Sequence, residues 1–161
     1  MWSRHSKKET IKGHIDTLSY FLQSNRHEQA HDMVLKMDIE GAEWDVLSNI
    51  DERYLRQFSQ IVIEYHGLLS ANSNVADKKI FPALRKINNT HNLIHLHDNN
   101  MGTYVEWGNK VFPDVLEATY VSKEKAMTLE ADKDIVLPHR LDEPNDPNRQ
   151  DIVLGRWNEP L

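Results

Sequence analysis

The sequence predicts an α/β domain: a mostly parallel sheet with one antiparallel edge strand. Three observations predict it. Short apolar runs at 33–37, 61–63 and 93–97 alternate with segments whose apolar residues recur at helical spacing. The run ending at Met37 passes through Asp38-Ile39-Glu40-Gly41 straight into the next helical segment. The last two apolar runs, 93–97 and 115–121, have no helical segment between them. Strand-helix-strand order implies right-handed parallel crossovers, and two strands without a helix imply an antiparallel pair. The expected architecture has three layers.

Residues up to about Gly13 are polar and aperiodic, which predicts an arm. Ile15, Leu18, Phe21 and Leu22 repeat at helical spacing after Asp16 or Thr17, so a short amphipathic helix is expected there. Asn25 to Asp32 is a polar connector, and Val34–Met37 a buried strand. Trp44, Leu47 and Ile50 mark one face of the following helix, with Trp44 expected in the core. Ile61-Val62-Ile63 is β-branched and continuous, as in a strand covered on both faces. A polar loop over Ala71 to Asp77 precedes a helix with Ile80, Phe81, Leu84 and Ile87 on its apolar face. Leu93–His97 and Leu116–Val121 are strands joined by the long polar segment Asp98 to Pro113. From Leu137 the texture changes: Pro138, Pro144, Pro147 and Pro160 fall among Asn, Asp and Arg. The domain is therefore set at 1–136 with an arm at 1–13, and 137–161 as an irregular Pro-rich tail. Ile152-Val153-Leu154 or Trp157 is expected to pin that tail.

Length and composition bound the function. A length of 161 residues predicts one domain, large enough to bury a core. No stretch approaches the ~20 apolar residues of a membrane span. Met1 to Lys8 carries basic residues with no apolar region behind them, so no signal peptide is expected. The absence of cysteine excludes disulfides and thiolate metal sites and fits a cytoplasmic location. A net charge of −6 argues against nucleic-acid and anionic-membrane partners, which need clustered cations.

The residue types that carry chemistry sit at the carboxyl ends of the predicted strands, where open α/β sheets bind ligands. They are Asp38 and Glu40, Glu64 and His66, and His97 and Asp98. Acids, a base and imidazoles on three adjacent strands suit removal of a proton from a hydroxyl, or a hard divalent ion such as Mg²⁺ or Mn²⁺. Each also has a plain structural role open to it. Asp38 and Glu40 serve equally as caps of the next helix. Asp98-Asn99-Asn100 suits either the grip of a hydroxylated ligand or an ordinary turn. His66, ahead of Gly67, is a base or a strand terminus. Glu64, inside a strand that reads as buried, must be paired or functional. His95 and His97 share one strand face with Leu93 by the two-residue period, and His95 is expected to be structural. His5, His14, His27, His31, His91 and His139 are expected at the surface.

Four segments resemble one family. "KMDIEGAEWDVL" (Lys36 to Leu47) is similar to the signature segment of FkbM-type, S-adenosylmethionine-dependent O-methyltransferases, where it forms the fourth strand and the entry to the next helix. "QIVIEYHG" (Gln60 to Gly67) resembles that family's fifth strand, and "LIHLHDNN" and "FPDVLEATYVSK" its closing pair. The resemblance runs in order from about Val34 to Val121. It implies a partial Rossmann-like class I methyltransferase sheet, with S-adenosylmethionine as methyl donor and a sugar or secondary-metabolite hydroxyl as acceptor. Gly13 is the only glycine before Gly41, so no G-x-G loop is available to cradle the donor. The expectation is the C-terminal half of such a domain, begun at an internal or secondary methionine, or a reduced relative, with little donor affinity of its own. Under this reading Asp38 orients substrate or metal, His66 or His97 is the base, and Asp38, Glu64 and His97 are the metal ligands. Two further readings stay open: a non-catalytic half-domain that pairs with another chain, and a module that binds a small polar ligand. A four-stranded sheet would leave the Val34–Met37 strand with a free edge, expected to be covered by Met1 to Ser24 or by a second copy of the chain.

Overall fold

The computed structural model describes residues 16–70, 73–128, 130 and 134–156. The arm to Gly13, Ile15, His5, His14, Ala71 and Trp157 lie outside the described residues. The chain runs α1 (Leu18–Ser24), β1 (Met33–Met37), α2 (Glu43–Asn49), α3 (Glu52–Leu55), β2 (Phe58–Tyr65), α4 (Ser73–Val75), α5 (Phe81–Thr90), β3 (His91–Asp98), β4 (Tyr104–Trp107), β5 (Lys110–Pro113) and β6 (Leu116–Ser122). Local chemistry sets several boundaries. Thr17 caps α1 by accepting the Tyr20 N–H, and Asp51 caps α3 by accepting the Arg53 N–H. Helical structure extends into the expected polar loop, because 76–80 winds as a π-helix joining α4 to α5.

The main sheet has the order β1-β2-β6-β3. β1 and β2 are parallel, and β6 is antiparallel to both β2 and β3. The three strands β1, β2 and β3 thus share one direction. The antiparallel strand is not at the edge, as expected, but inside the sheet. The crossover from β2 to β3 skips one position, and the chain returning from β3 without a helix fills it. There β6 pairs on both sides and satisfies its backbone groups, which an edge strand cannot do.

The expected three layers are also corrected. Ile61, Ile63 and Tyr65 of β2 pair with Tyr120, Ala118 and Leu116 of β6, and all six are buried. This is the face the helices cover: Trp44 of α2 stacks on Tyr65 at 4.4 Å, and α5 packs against α2 and α3. Successive crossovers that advance in one direction with one hand put their helices on one face. The opposite face carries Val62, Glu64, Glu117 and Thr119, and on β3 His95 and His97. The C-terminal segment straps part of it: Asp142 and Asp151 pair with His95 and His97, and Asn145 donates to Glu117. Leu137 and Leu154 of this segment are buried with the core, and residues 137 and 155 exchange backbone hydrogen bonds of 3.0 and 2.9 Å.

Three details depart from the expected pattern. Asp98 to Pro113 contains the hairpin β4–β5, turned by Gly108-Asn109 with Gly108 at φ 62°. The register slips between Leu93 and His95, so Leu93 pairs with Tyr120 and leaves the face that His95 and His97 share. Ala83, not the half-exposed Phe81, completes the buried face of α5 with Ile80 and Ile87. β1 has a strand partner on one side only among the described residues. The described part of the N-terminal segment seats Leu22 in the core and bonds Gln23 to the Tyr54 hydroxyl. No described helix is long and apolar enough to cross a membrane.

Candidate functional site

The parallel pair β1–β2 carries the site at its carboxyl end. β1 and β2 are in register with Met37 opposite Ile63, so the next residues, Asp38 and Glu64, emerge side by side. Asp38, Glu64 and His66 each bring one ligand-type atom to within 4.8 Å of the others. Glu64 and His66 are largely buried, while Asp38 is half-exposed and lies 3.6 Å from Lys36 Nζ. Burial raises the Glu64 carboxyl above its ordinary value, and the neighbouring Asp38 raises it further; the hydrogen bond from Asn99 Nδ2, 2.7 Å to Glu64 Oε1, works the other way. Two carboxylates this close resist joint ionisation.

His66 is held on three sides. Its carbonyl accepts from Trp44 Nε1 at 2.9 Å, fixing the backbone. Its Nδ1 lies 3.3 Å from Glu43 Oε1, and its Nε2 lies 3.5 Å from Glu40 Oε2 and 3.9 Å from Glu64 Oε1. Glu43, in the first turn of α2, is fully buried and also accepts the N–H groups of Ile39 and Gly41. That turn is tight: Glu40 at φ 55° and Gly41 at φ 100° are both left-handed, a costly state for Glu40. Beside it opens a cleft of about 350 Å³ lined by Glu40, Gly41, Trp44, His66, Gly67 and Ser70. Sequence reading missed Glu43. The available signal was an acid in a first helical turn behind a Gly turn, the position from which a side chain reaches back to free N–H groups.

His97 stands apart from this group. Strand β6 separates it from β2, and it pairs through Nε2 with Asp151 at 3.1 Å and through Nδ1 with Glu117 at 3.7 Å. Burial alone would lower its imidazole, but the Asp151 hydrogen bond and charge, with Asp142 and Glu117, raise it above the ordinary value. The structure therefore brings together Asp38, Glu64 and His66, and not His97. His95, expected to be structural, holds Asp142 at 2.8 Å. His91, expected at the surface, is fully buried: Nε2 bonds the Phe58 carbonyl at 2.9 Å, Nδ1 meets the Thr90 hydroxyl, and burial lowers its pKa. Of Asp98-Asn99-Asn100, Asn99 reaches Glu64, while Asn100 ties the strap through Asp146 and Arg149. His27 and His31 are exposed.

Asp98 pairs with Leu116 and so faces the apolar side of the sheet. It is fully buried, and neither carboxylate oxygen has a hydrogen-bond partner among the described residues. Burial, reinforced by the charges of Asp151 and Glu117 and opposed by His97, pushes it up from 3.8 to about 6. The folded state thus holds the proton over a range in which the unfolded chain releases it, so this group removes stability as pH rises from about 4 to about 6. Asp98→Asn is expected to flatten that fall and to melt at a higher temperature than the parent at pH 7. Melting curves from pH 4 to 7 check this; parallel curves for the two proteins would contradict it.

A family model described as the methyltransferase FkbM domain matches residues 3–89. No curated protein and no solved structure matches the chain.

Proposed function

The chain belongs to the FkbM methyltransferase domain family, and from that premise we propose that it carries out S-adenosylmethionine-dependent O-methylation of a hydroxyl on a sugar or a secondary metabolite. The observation that carries this reading is the convergence of Asp38, Glu64 and His66 at the ends of two adjacent parallel strands. We read the sheet as the C-terminal half of a Rossmann-like class I methyltransferase sheet, with β6 as its inserted antiparallel strand. When bound, S-adenosylmethionine supplies a methyl group on a positively charged sulfur. The chain's six glycines stand singly with no G-x-G loop, so we expect the donor to be held only weakly. We assign the ends of β1 and β2 to the acceptor side.

In this reading the acceptor lies in the cleft beside Trp44 and Gly67. Asp38 and Glu64 accept hydrogen bonds from its hydroxyls, fixing the reacting oxygen. His66 Nε2 takes the proton as that oxygen gains its methyl group, and Glu40 and Glu64 stabilise the imidazolium that forms. Asn99 holds Glu64 in place from the β3 side.

A second reading of the same residues rests on the 4.8 Å spacing. Asp38, Glu64 and His66 Nε2 would hold a divalent ion such as Mg²⁺ or Mn²⁺, which makes a bound hydroxyl more acidic.

The test is to incubate the chain with S-adenosylmethionine and a panel of sugars and polyhydroxylated small molecules, with and without Mn²⁺. Release of S-adenosylhomocysteine alongside a methylated product is expected. Donor binding measured by calorimetry is expected to be weak, in the millimolar range of about −4 kcal/mol. Acceptor binding without any S-adenosylhomocysteine release would instead favour a non-catalytic binding module.

A further inference from the structure

We infer that Glu43 is a positioning residue that fixes which nitrogen of His66 carries the proton, an inference that rests on the reading of His66 as the base. Glu43 is fully buried, and two backbone N–H groups already point at it: Ile39 N at 2.9 Å from Oε1 and Gly41 N at 3.1 Å from Oε2. A carboxylate so held has only acceptors to offer. The ring nitrogen facing it, His66 Nδ1 at 3.3 Å, must therefore be the donor. A neutral imidazole carries one proton, and the partner of one nitrogen decides the state of the other. With Nδ1 protonated, the lone pair sits on Nε2, whose nearest carboxylates, Glu40 at 3.5 Å and Glu64 at 3.9 Å, stand too far off to hold the neutral ring's proton as Glu43 does. The Trp44 hydrogen bond to the His66 carbonyl fixes the backbone from which the ring projects.

The left-handed turn at Glu40-Gly41 frees two N–H groups ahead of α2. Glu43 gathers them, and in doing so presents Oε1 to the end of β2, where His66 arrives. One buried side chain thus ties the exit of β1 to the exit of β2 and sets the proton on the base. A metal held by Nε2 would need the same tautomer, because a ligating histidine donates its other N–H to a carboxylate or carbonyl.

Glu43→Leu tests this, because it removes the oxygen that faces Nδ1 and leaves Glu40 and Glu64 beside Nε2. An amide would not serve: Oε1 both accepts the Ile39 N–H and faces Nδ1, so a glutamine oxygen there keeps the parent contact. The readout is nitrogen NMR of ¹⁵N-histidine-labelled protein at a pH where the ring is neutral. In the parent, His66 is expected to be protonated at Nδ1; in Glu43→Leu the proton is expected to move to Nε2, beside the remaining carboxylates. Methyl transfer is expected to fall by up to about 10⁴-fold, the scale seen when a catalytic histidine is left in the wrong tautomer, with circular dichroism unchanged. Finding Nε2 protonated in the parent would overturn the inference even if the variant did not fold. A rate loss in Glu43→Leu with the tautomer unchanged would also overturn it, leaving only a structural role. A tautomer switch with the rate unchanged would uphold the role of Glu43 and overturn instead the reading of His66 as the base.

Discussion

His66→Ala is expected to lower methyl-transfer turnover by about 10²–10⁴-fold, the usual loss on removing a positioned base, while His97→Ala keeps turnover close to that of the parent. The two histidines end neighbouring runs of the same sheet, so sequence alone treats them alike. The structure separates them. His66 Nε2 opens beside Glu40, Glu64 and the cleft, whereas both His97 nitrogens are engaged by Asp151 and Glu117 under the C-terminal strap. Initial rates for both variants, taken well below their melting temperatures, decide between them. Equal losses, or a larger loss for His97→Ala, would move the base to the strap side. Asp38→Asn should resemble His66→Ala in rate and leave stability nearly unchanged, because Asp38 is a half-exposed side chain.

Leu154→Ala is expected to cost about 2–5 kcal/mol of stability, the range for emptying a buried leucine site. Leu154 is 2% exposed although it lies in an irregular stretch. The backbone bridge between residues 137 and 155 and the His95–Asp142 and His97–Asp151 pairs hold the strap that delivers it. Val153→Ala, next door but 58% exposed, is expected to change stability by less than ~0.5 kcal/mol. Denaturant unfolding of the three proteins checks both numbers. Similar midpoints for Leu154→Ala and the parent would mean that the strap adds nothing to the core.

The elements legible in the sequence were those that a local pattern specifies. The positions of β1 and β2, the buried face of α2 and the core position of Trp44 follow from apolar runs and helical spacing, although β1 is not the buried strand expected: Val34 is 62% exposed and only Met37 is buried. The acids at the end of β1 could be seen as site candidates because strand exits in such sheets are where ligands bind. What escaped depended on partners far along the chain. β6 sits between β2 and β3 because a position was left open there, and no spacing within 116–122 records that. The bulge at Leu93–His95 breaks a two-residue period that looks intact on paper. His91 is buried because the Phe58 carbonyl, 33 residues away, gives its ring a partner. The choice of His66 over His97 turns on Glu43, whose role appears only when the β1 turn and the end of β2 are seen together. The hairpin at Gly108-Asn109 is different: a two-residue Gly-Asn turn between short strands is a local signal, and it was there to be read.

In the proposed function the acceptor docks where β1 and β2 end. Amide chemical shifts of the ¹⁵N-labelled chain, recorded while an acceptor that turns over in the methyl-transfer assay is titrated in, test this most directly. Saturable shifts are expected at residues 38–41, 64–67 and 99, with residues 95–97 and 142–151 unmoved. Shifts confined to the His97–Asp151 side of the sheet would contradict it.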